Sequence, residues 1–568
     1  MKLVIKEYLS LLKESKELDE LIPELLLSMN HKTISKAQIG TRQYGVDVAS
    51  IGRDTDGIEK VFLFTIKEGN LSRGGWDGDS NQAVRPSLDE ILDVYIPTHL
   101  EKEYISLPKK IVVATGGDLN QNVRQNWSGY TKRQSIENEI EFTFWGGDEL
   151  SILIEENLFN EHLIPKELRN KFRKTLALLS DIDYDLRDYY SFLSEIINNT
   201  ELEKQSEKKQ LKTLRLIYLS LNIIYKWAES EDNLKHALLA SERTILNVWD
   251  FLSKNKLTKN KKLTEIIGKI YYKNLEIISK YCEKLKPLIK VKNGMSFYGN
   301  NFIQESLILF EQLGILSLLG NTFQFTAIIN NDEKYVKYSA SITLLIKEFI
   351  KNHKALLNPV YDEHIIDISI AIFLLYEWNE IEFLDKWIGD LITHIDFAFK
   401  VNGKYFPIDT DNFDDLVDIN LRDGFDKSDY IKTSTLVPIL AQWCVKLGLI
   451  ENYKSIQYIS KNMFKEAILQ IWYPDKNVED FMFSKNAGFK CGYAEAPIKI
   501  PEKIKDYSKL MQQVQDSKSY IDIQDLLCVK HSMTPLILIS CRHFRMPMFP
   551  QFWNYKNKEK EIISGENQ

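Results

Sequence analysis

The texture of the chain changes near residue 160. Before that point short β-rich runs alternate with stretches of helical spacing; beyond it, apolar residues recur at three- and four-residue intervals almost to the end. A sheet must be covered on its apolar faces, whereas a helix must bury a stripe against other helices, so two textures call for two separate cores. At 568 residues the chain is also too long for one hydrophobic core. The expected fold class is α+β followed by all-α. A sheet layered between helices would occupy residues 1–160 and a large helical region residues 161–568, with room for two subdomains split near 300–355.

Composition narrows the class. With 44% hydrophobic and 27% charged residues, the chain is neither collagen-like nor globally disordered. The longest apolar run, residues 370–376, is far shorter than a bilayer requires and lies between Asp367 and Glu377. Charges every three or four positions in the first twenty residues replace the apolar stretch of a secretory signal. The expectation is a soluble, cytoplasmic protein without membrane contact. Cys282, Cys444, Cys491, Cys528 and Cys541 show no CxxC spacing, so reduced thiols are expected. A net charge of −7 gives no global attraction to nucleic acid, and any such contact must be local. The lysine-rich stretch 204–273, with Lys208, Lys209 and Lys212 near its start, reads first as a solvated helix face and second as a phosphate-tracking patch.

In the first part, residues 44–51 (YGVDVASI) and 60–67 (KVFLFTIK) are β-rich runs around a polar spacer containing Asp56-Gly57, which signals a hairpin. Residues 81–96 have helical spacing, 109–115 (KKIVVAT) read as a buried strand, 140–145 (IEFTFW) as the last strand and 149–157 as the helix after it. Two strands end alike, at Gly116-Gly117-Asp118 and Gly146-Gly147-Asp148. Lacking the lysine and hydroxyl of a P-loop, both read as turns closed by a helix-capping aspartate. In the helical part no repeat recurs. His531, Cys541 and His543 have no zinc spacing, and the acidic run Asp409, Asp411, Asp414, Asp415 and Asp418 lacks the glycine and terminal glutamate of a calcium loop.

Chemistry concentrates in the first hairpin. If residues 45–49 and 62–67 pair antiparallel, Thr65 and Lys67 share a face and Glu68 takes the other. Asp47, near the middle of the first run, would be costly to bury alone, and a metal ion or Lys67 would supply its partner. Gly45-Val46-Asp47 followed by Thr65-Ile66-Lys67, after an acid-bearing helix and before a helix, strand, helix, strand and helix, resembles the PD-(D/E)xK (restriction-endonuclease-like) nuclease superfamily over about 150 residues.

The resemblance implies an α/β/α nuclease domain using Mg²⁺ or Mn²⁺. Asp47, the backbone carbonyl of Ile66 and an acid of the first helix would hold the ion, and Lys67 would orient water or stabilise the pentacovalent phosphate. Aligning the Leu25-Leu26 pair puts Asp19 at the helix acid; Pro23 can change the facing, which leaves Glu20 and Glu24 open. Gln82 and Arg85 stand where related nucleases place groups facing nucleic acid. Thr65 departs from the pattern, which has Asp, Glu or Gln there, and a hydroxyl is a poor ligand for a hard cation. The implied protein is a DNA endonuclease, with RNA left open, of the restriction or anti-phage defence kind. It would act as a homo-oligomer to cut both strands, and the helical region would bind a protein partner or activator. Two rivals stand beside it: a non-catalytic nucleic-acid-binding or scaffold protein on a degenerate nuclease fold, which Thr65 favours, and a regulatory helical protein whose α/β domain is unrelated.

Overall fold

The computed structural model describes residues 2–35, 44–78, 83–158, 163–199, 201–296, 299, 301–410, 412–421, 430–484, 492–515 and 521–548. The chain is mostly helical with a mixed sheet near its N-terminus, and it divides into two compact units, Met1–Ala240 and Ser241–Gln568.

In the first unit, α1 (Lys2–Leu9), a π-helical turn Glu14–Leu18 and α2 (Asp19–Ser28) precede β1 (Lys32–Ser35), β2 (Val48–Arg53) and β3 (Glu59–Lys67). Then come α3 (Arg73–Asp77), α4 (Val84–Glu90), α5 (Ile96–Thr98), β4 (Lys109–Thr115), α6 (Gln121–Asn138), β5 (Glu141–Trp145) and α7 (Gly147–Asn157). The five strands lie side by side in chain order; β1–β2 and β2–β3 are antiparallel, β3–β4 and β4–β5 parallel. β3 is central, and every residue from 60 to 66 is buried. Val61 and Leu63 join Ala49, Ile51, Ile111 and Val113 in one core with Trp76, Leu88 and Tyr130 from the helices. By period-two alternation Phe62, Phe64 and Ile66 face the other side, where the Phe64 ring meets Trp145 edge-on at 5.1 Å.

The expected strand at 109–115 matches β4. The first expected strand starts late: Tyr44 and Gly45 adopt positive φ, and residues 44–47 form a turn leading into β2. A Cβ on Gly45 would sit 2.1 Å from the Ser87 carbonyl oxygen, so only glycine lets this turn lie against α4. The two glycine pairs do not lead to capping aspartates. Asn120 precedes α6 and Gly146 precedes α7, while Asp118 and Asp148 both bind Lys6 of α1, at 3.1 and 2.8 Å. The glycines allow α1 to cross the strand ends, since a Cβ on Gly116 would approach the Leu9 carbonyl oxygen to 2.1 Å. At the opposite end of the sheet, buried Lys60 pairs with Asp54, Asp56 and Glu141 at 2.7–2.8 Å and ties the hairpin to β5.

The sheet domain expected to end near residue 160 sits within a larger unit. α8 (Lys166–Leu178), α9 (Arg187–Ser194) and α10 (Glu207–Ser230) follow it. Arg169 grips Glu24 with two hydrogen bonds of 2.7 and 2.9 Å, Lys212 pairs with Glu17, and Arg215 donates to the Glu7 carbonyl at 2.7 Å. Acids and carbonyls of α1, the π-helical turn and α2 thus hold cations from more than 140 residues away.

Among the described residues the second unit is helical apart from two short strand pairs. The helix Phe302–Asn330 packs on Glu333–Asn352, His364–Glu377 and Pro535–Phe544. Phe302–Asn330 is the one helix among the described residues long and apolar enough to cross a membrane, and 67% of its apolar window is buried within the structure. A charged network is also buried here: Glu242 accepts from Arg542 and His543, and Arg545 reaches Asp367 at 3.0 Å. His543 and Cys541 are therefore core residues, as are Cys282, Cys444 and Cys528, all free thiols. Cys491 and Asp411 lie outside the described residues, while Asp409 and Asp415 accept from the hydroxyls of Thr433 and Thr410.

Candidate functional site

The ladder between β2 and β3 runs from Arg53↔Glu59 to Val48↔Phe64. One residue beyond it, the Asp47 N–H donates to the Phe64 carbonyl at 2.8 Å, and the Asp47 carboxylate accepts from the Ile66 N–H at 2.7 Å. Asp47 thus stands where β2 begins, bonded to the residue between Thr65 and Lys67. A strand residue presents its N–H and C=O to the same neighbour, so the Ile66 carbonyl points along the same edge.

The π-helical turn and the start of α2 bring further acids to this end of β3. Lys67, with its side chain 17% exposed, donates to Glu14 Oε1 at 3.1 Å. Burial pushes the Asp47 carboxyl up to about 6; the Ile66 N–H and the Lys67 charge oppose that rise, and Glu14 and Asp19 add to it. Asp19 Oδ1 is buried with no hydrogen-bond partner among the described residues. Glu14 and Asp47 therefore share the Lys67 ammonium, and Asp19 lies close enough to act on the Asp47 carboxylate.

Comparison with protein-family models, curated proteins and solved structures found no match.

The residues singled out in the sequence separate clearly. Asp47 takes its direct partner from the Ile66 backbone, and Lys67 acts on it through space while bonding Glu14. Thr65 is 1% exposed and donates its hydroxyl to the Gly45 carbonyl at 2.7 Å, so it holds the turn that carries Asp47 and has no proton left to offer elsewhere. Among the α2 acids, Asp19 belongs to the site; Glu20 pairs with Lys166 at 2.9 Å and Glu24 with Arg169. Arg85 forms an exposed pair with Asp77 at 3.0 Å, Gln82 lies outside the described residues, and Glu68 is exposed beyond the end of β3. Glu14 was missed. It sits in the charged run ESKELDE, which has the composition of a solvated helix start.

Hard carboxylate and carbonyl oxygens are the donors a divalent cation of the Mg²⁺ or Mn²⁺ type selects. An orphaned Asp19 oxygen and an Asp47 carboxyl reluctant to ionise are what such an ion would relieve, so the residues fit the group in kind. Among the described residues no three Asp, Glu, His or Cys side chains already converge into a cage. The acids are neighbours, not yet a coordination sphere.

Proposed function

We propose that Asp47, Asp19, Glu14 and Lys67 form the active site of a metal-dependent nuclease of the PD-(D/E)xK type that hydrolyses phosphodiester bonds in DNA. The observation that carries this reading is the Asp47 carboxylate, raised in pKa and bonded to the Ile66 N–H, beside Lys67 and the orphaned Asp19 oxygen. The helix, antiparallel three-strand and parallel two-strand order of the sheet is consistent with it. Asp47, Asp19 and the Ile66 carbonyl would hold a Mg²⁺ or Mn²⁺ ion. When bound, the ion would neutralise phosphate charge and favour ionisation of an attacking water. Lys67, partly exposed at the end of β3, offers an ammonium to the charge that builds on the phosphorane, and Glu14 positions it. Thr65 supports the site indirectly, through the Gly45 turn.

The wider setting comes with the family resemblance: a cytoplasmic restriction or anti-phage effector, acting as a homo-oligomer, with a protein partner or activator bound by the helical unit. A second reading, a nucleic-acid-binding scaffold on a degenerate fold, is favoured by the commitment of the Thr65 hydroxyl to Gly45. Supercoiled plasmid incubated with Mg²⁺ or Mn²⁺ tests both. The nuclease reading expects nicking that is lost in Lys67→Ala and Asp47→Asn. Binding of DNA with no cleavage in either metal supports the scaffold reading, and nicking that persists in Lys67→Ala and Asp47→Asn rejects the proposed active site.

A further inference from the structure

We infer that the first unit carries a second binding site, for a phosphorylated small molecule of the nucleotide class, in a cavity lined by α1, the π-helical turn, α2, α8 and α10. The cavity measures about 1060 Å³, just above the ~300–1,000 Å³ typical of small-molecule sites. Its floor is apolar, with Tyr8, Leu12 and Leu216 among the buried side chains that line it. Its rim is cationic: Lys13, Lys166, Lys208, Lys209, Lys212 and Arg169 stand against Glu17, Glu20 and Glu167.

Those glutamates do not cancel the rim. Lys212 is paired with Glu17 and Lys166 with Glu20, and Arg169 is taken by Glu24. Among the described residues Lys209 donates to the amide oxygen of Gln205, at 3.2 Å, and to no acid. Lys208 and Lys13 are exposed beside it, and neither has an ion-pair partner among the described residues. Lys212 lies one turn from both Lys208 and Lys209 on α10, and all three line the cavity. Cations that neighbouring acids leave unneutralised attract phosphate groups, and an apolar floor gains from covering an aromatic base. An extended nucleic-acid strand would meet the rim and leave the floor unused, so the combination selects a compact ligand with both parts.

The site stands independently of cleavage and is tested by binding to the full-length protein. Titration calorimetry with ATP, GTP and the dinucleotide pApA, and separately with inorganic pyrophosphate and a single-stranded oligonucleotide, is compared between the wild type and K208A/K209A. Both lysines are exposed, and circular dichroism checks that the variant is folded. The expected result is saturable binding of at least one of the three nucleotides, at least tenfold tighter than pyrophosphate and weakened at least tenfold in K208A/K209A. Binding of none of the three, or binding indifferent to K208A/K209A, overturns the proposal. Equal affinity for pyrophosphate, or capture of the oligonucleotide alone, also overturns it, by reassigning the rim to bare phosphate or to a strand.

Discussion

Replacing Asp47 by asparagine should make the first unit more stable while removing the group proposed to hold the cation. Burial and two neighbouring acids raise the Asp47 pKa from 3.8 to about 6. At ~1.36 kcal/mol for each pH unit between the unfolded and folded values, the ionised carboxylate costs folding about 3 kcal/mol. The sign follows from proton binding. The folded state holds the proton more tightly, so stability is greatest below the unfolded value, falls as pH rises through the window between 3.8 and about 6, and carries the whole penalty above it. Asparagine is permanently neutral, and its side-chain oxygen can still accept from the Ile66 N–H. Asp47→Asn should therefore exceed the wild type by up to about 3 kcal/mol at about pH 7.5 and match it at about pH 2.5. Urea unfolding at both pH values, read by pulsed hydrogen exchange in β2 and β3 peptides, isolates this unit from the helical one. A destabilised variant at the higher pH, or a difference that does not change with pH, would refute the account of Asp47 as an uncompensated buried charge.

Three further substitutions probe the scaffold. Gly116→Ala places a methyl against the Leu9 carbonyl, which the backbone cannot easily vacate; α1 should lift from the strand ends at a cost of about 1–3 kcal/mol, seen as faster hydrogen exchange in α1. Thr65→Glu should not restore the acid of the family pattern, because the site is 1% exposed and the Gly45 bond is lost; a lower thermal midpoint without gain in metal-dependent cleavage is expected. Glu242→Ala leaves Arg542 buried without its carboxylate, and urea unfolding of the second unit should show a loss of about 3–5 kcal/mol, with a smaller loss in Glu242→Gln.

Much of the fold was legible because local pattern and burial agreed. β4 matched its expected ends since Ile111 to Ala114 are buried on both faces, and a continuous apolar run between polar ends has few other uses. The helical part was equally clear from its spacing. β1 was not: KTIS carries one large apolar residue in four positions, and it is a strand only because it pairs with β2. Asp47 and Lys67 were visible as residue types on paired strands, but the placement of Asp47 just ahead of the ladder depended on positive φ at Tyr44 and Gly45.

By itself the sequence determined the chemical inventory, the residues facing a core and the change from mixed sheet to helix, because backbone periodicity and apolar area are local properties. Tertiary structure alone decided that Glu14 and not Asp47 receives the Lys67 ammonium, that Glu20 and Glu24 turn to Lys166 and Arg169, and that the first unit continues to Ala240. Each of these outcomes is a choice among charged groups far apart along the chain. Electrostatic attraction depends on distance in space, so no local pattern of residues records which acid a given cation will reach.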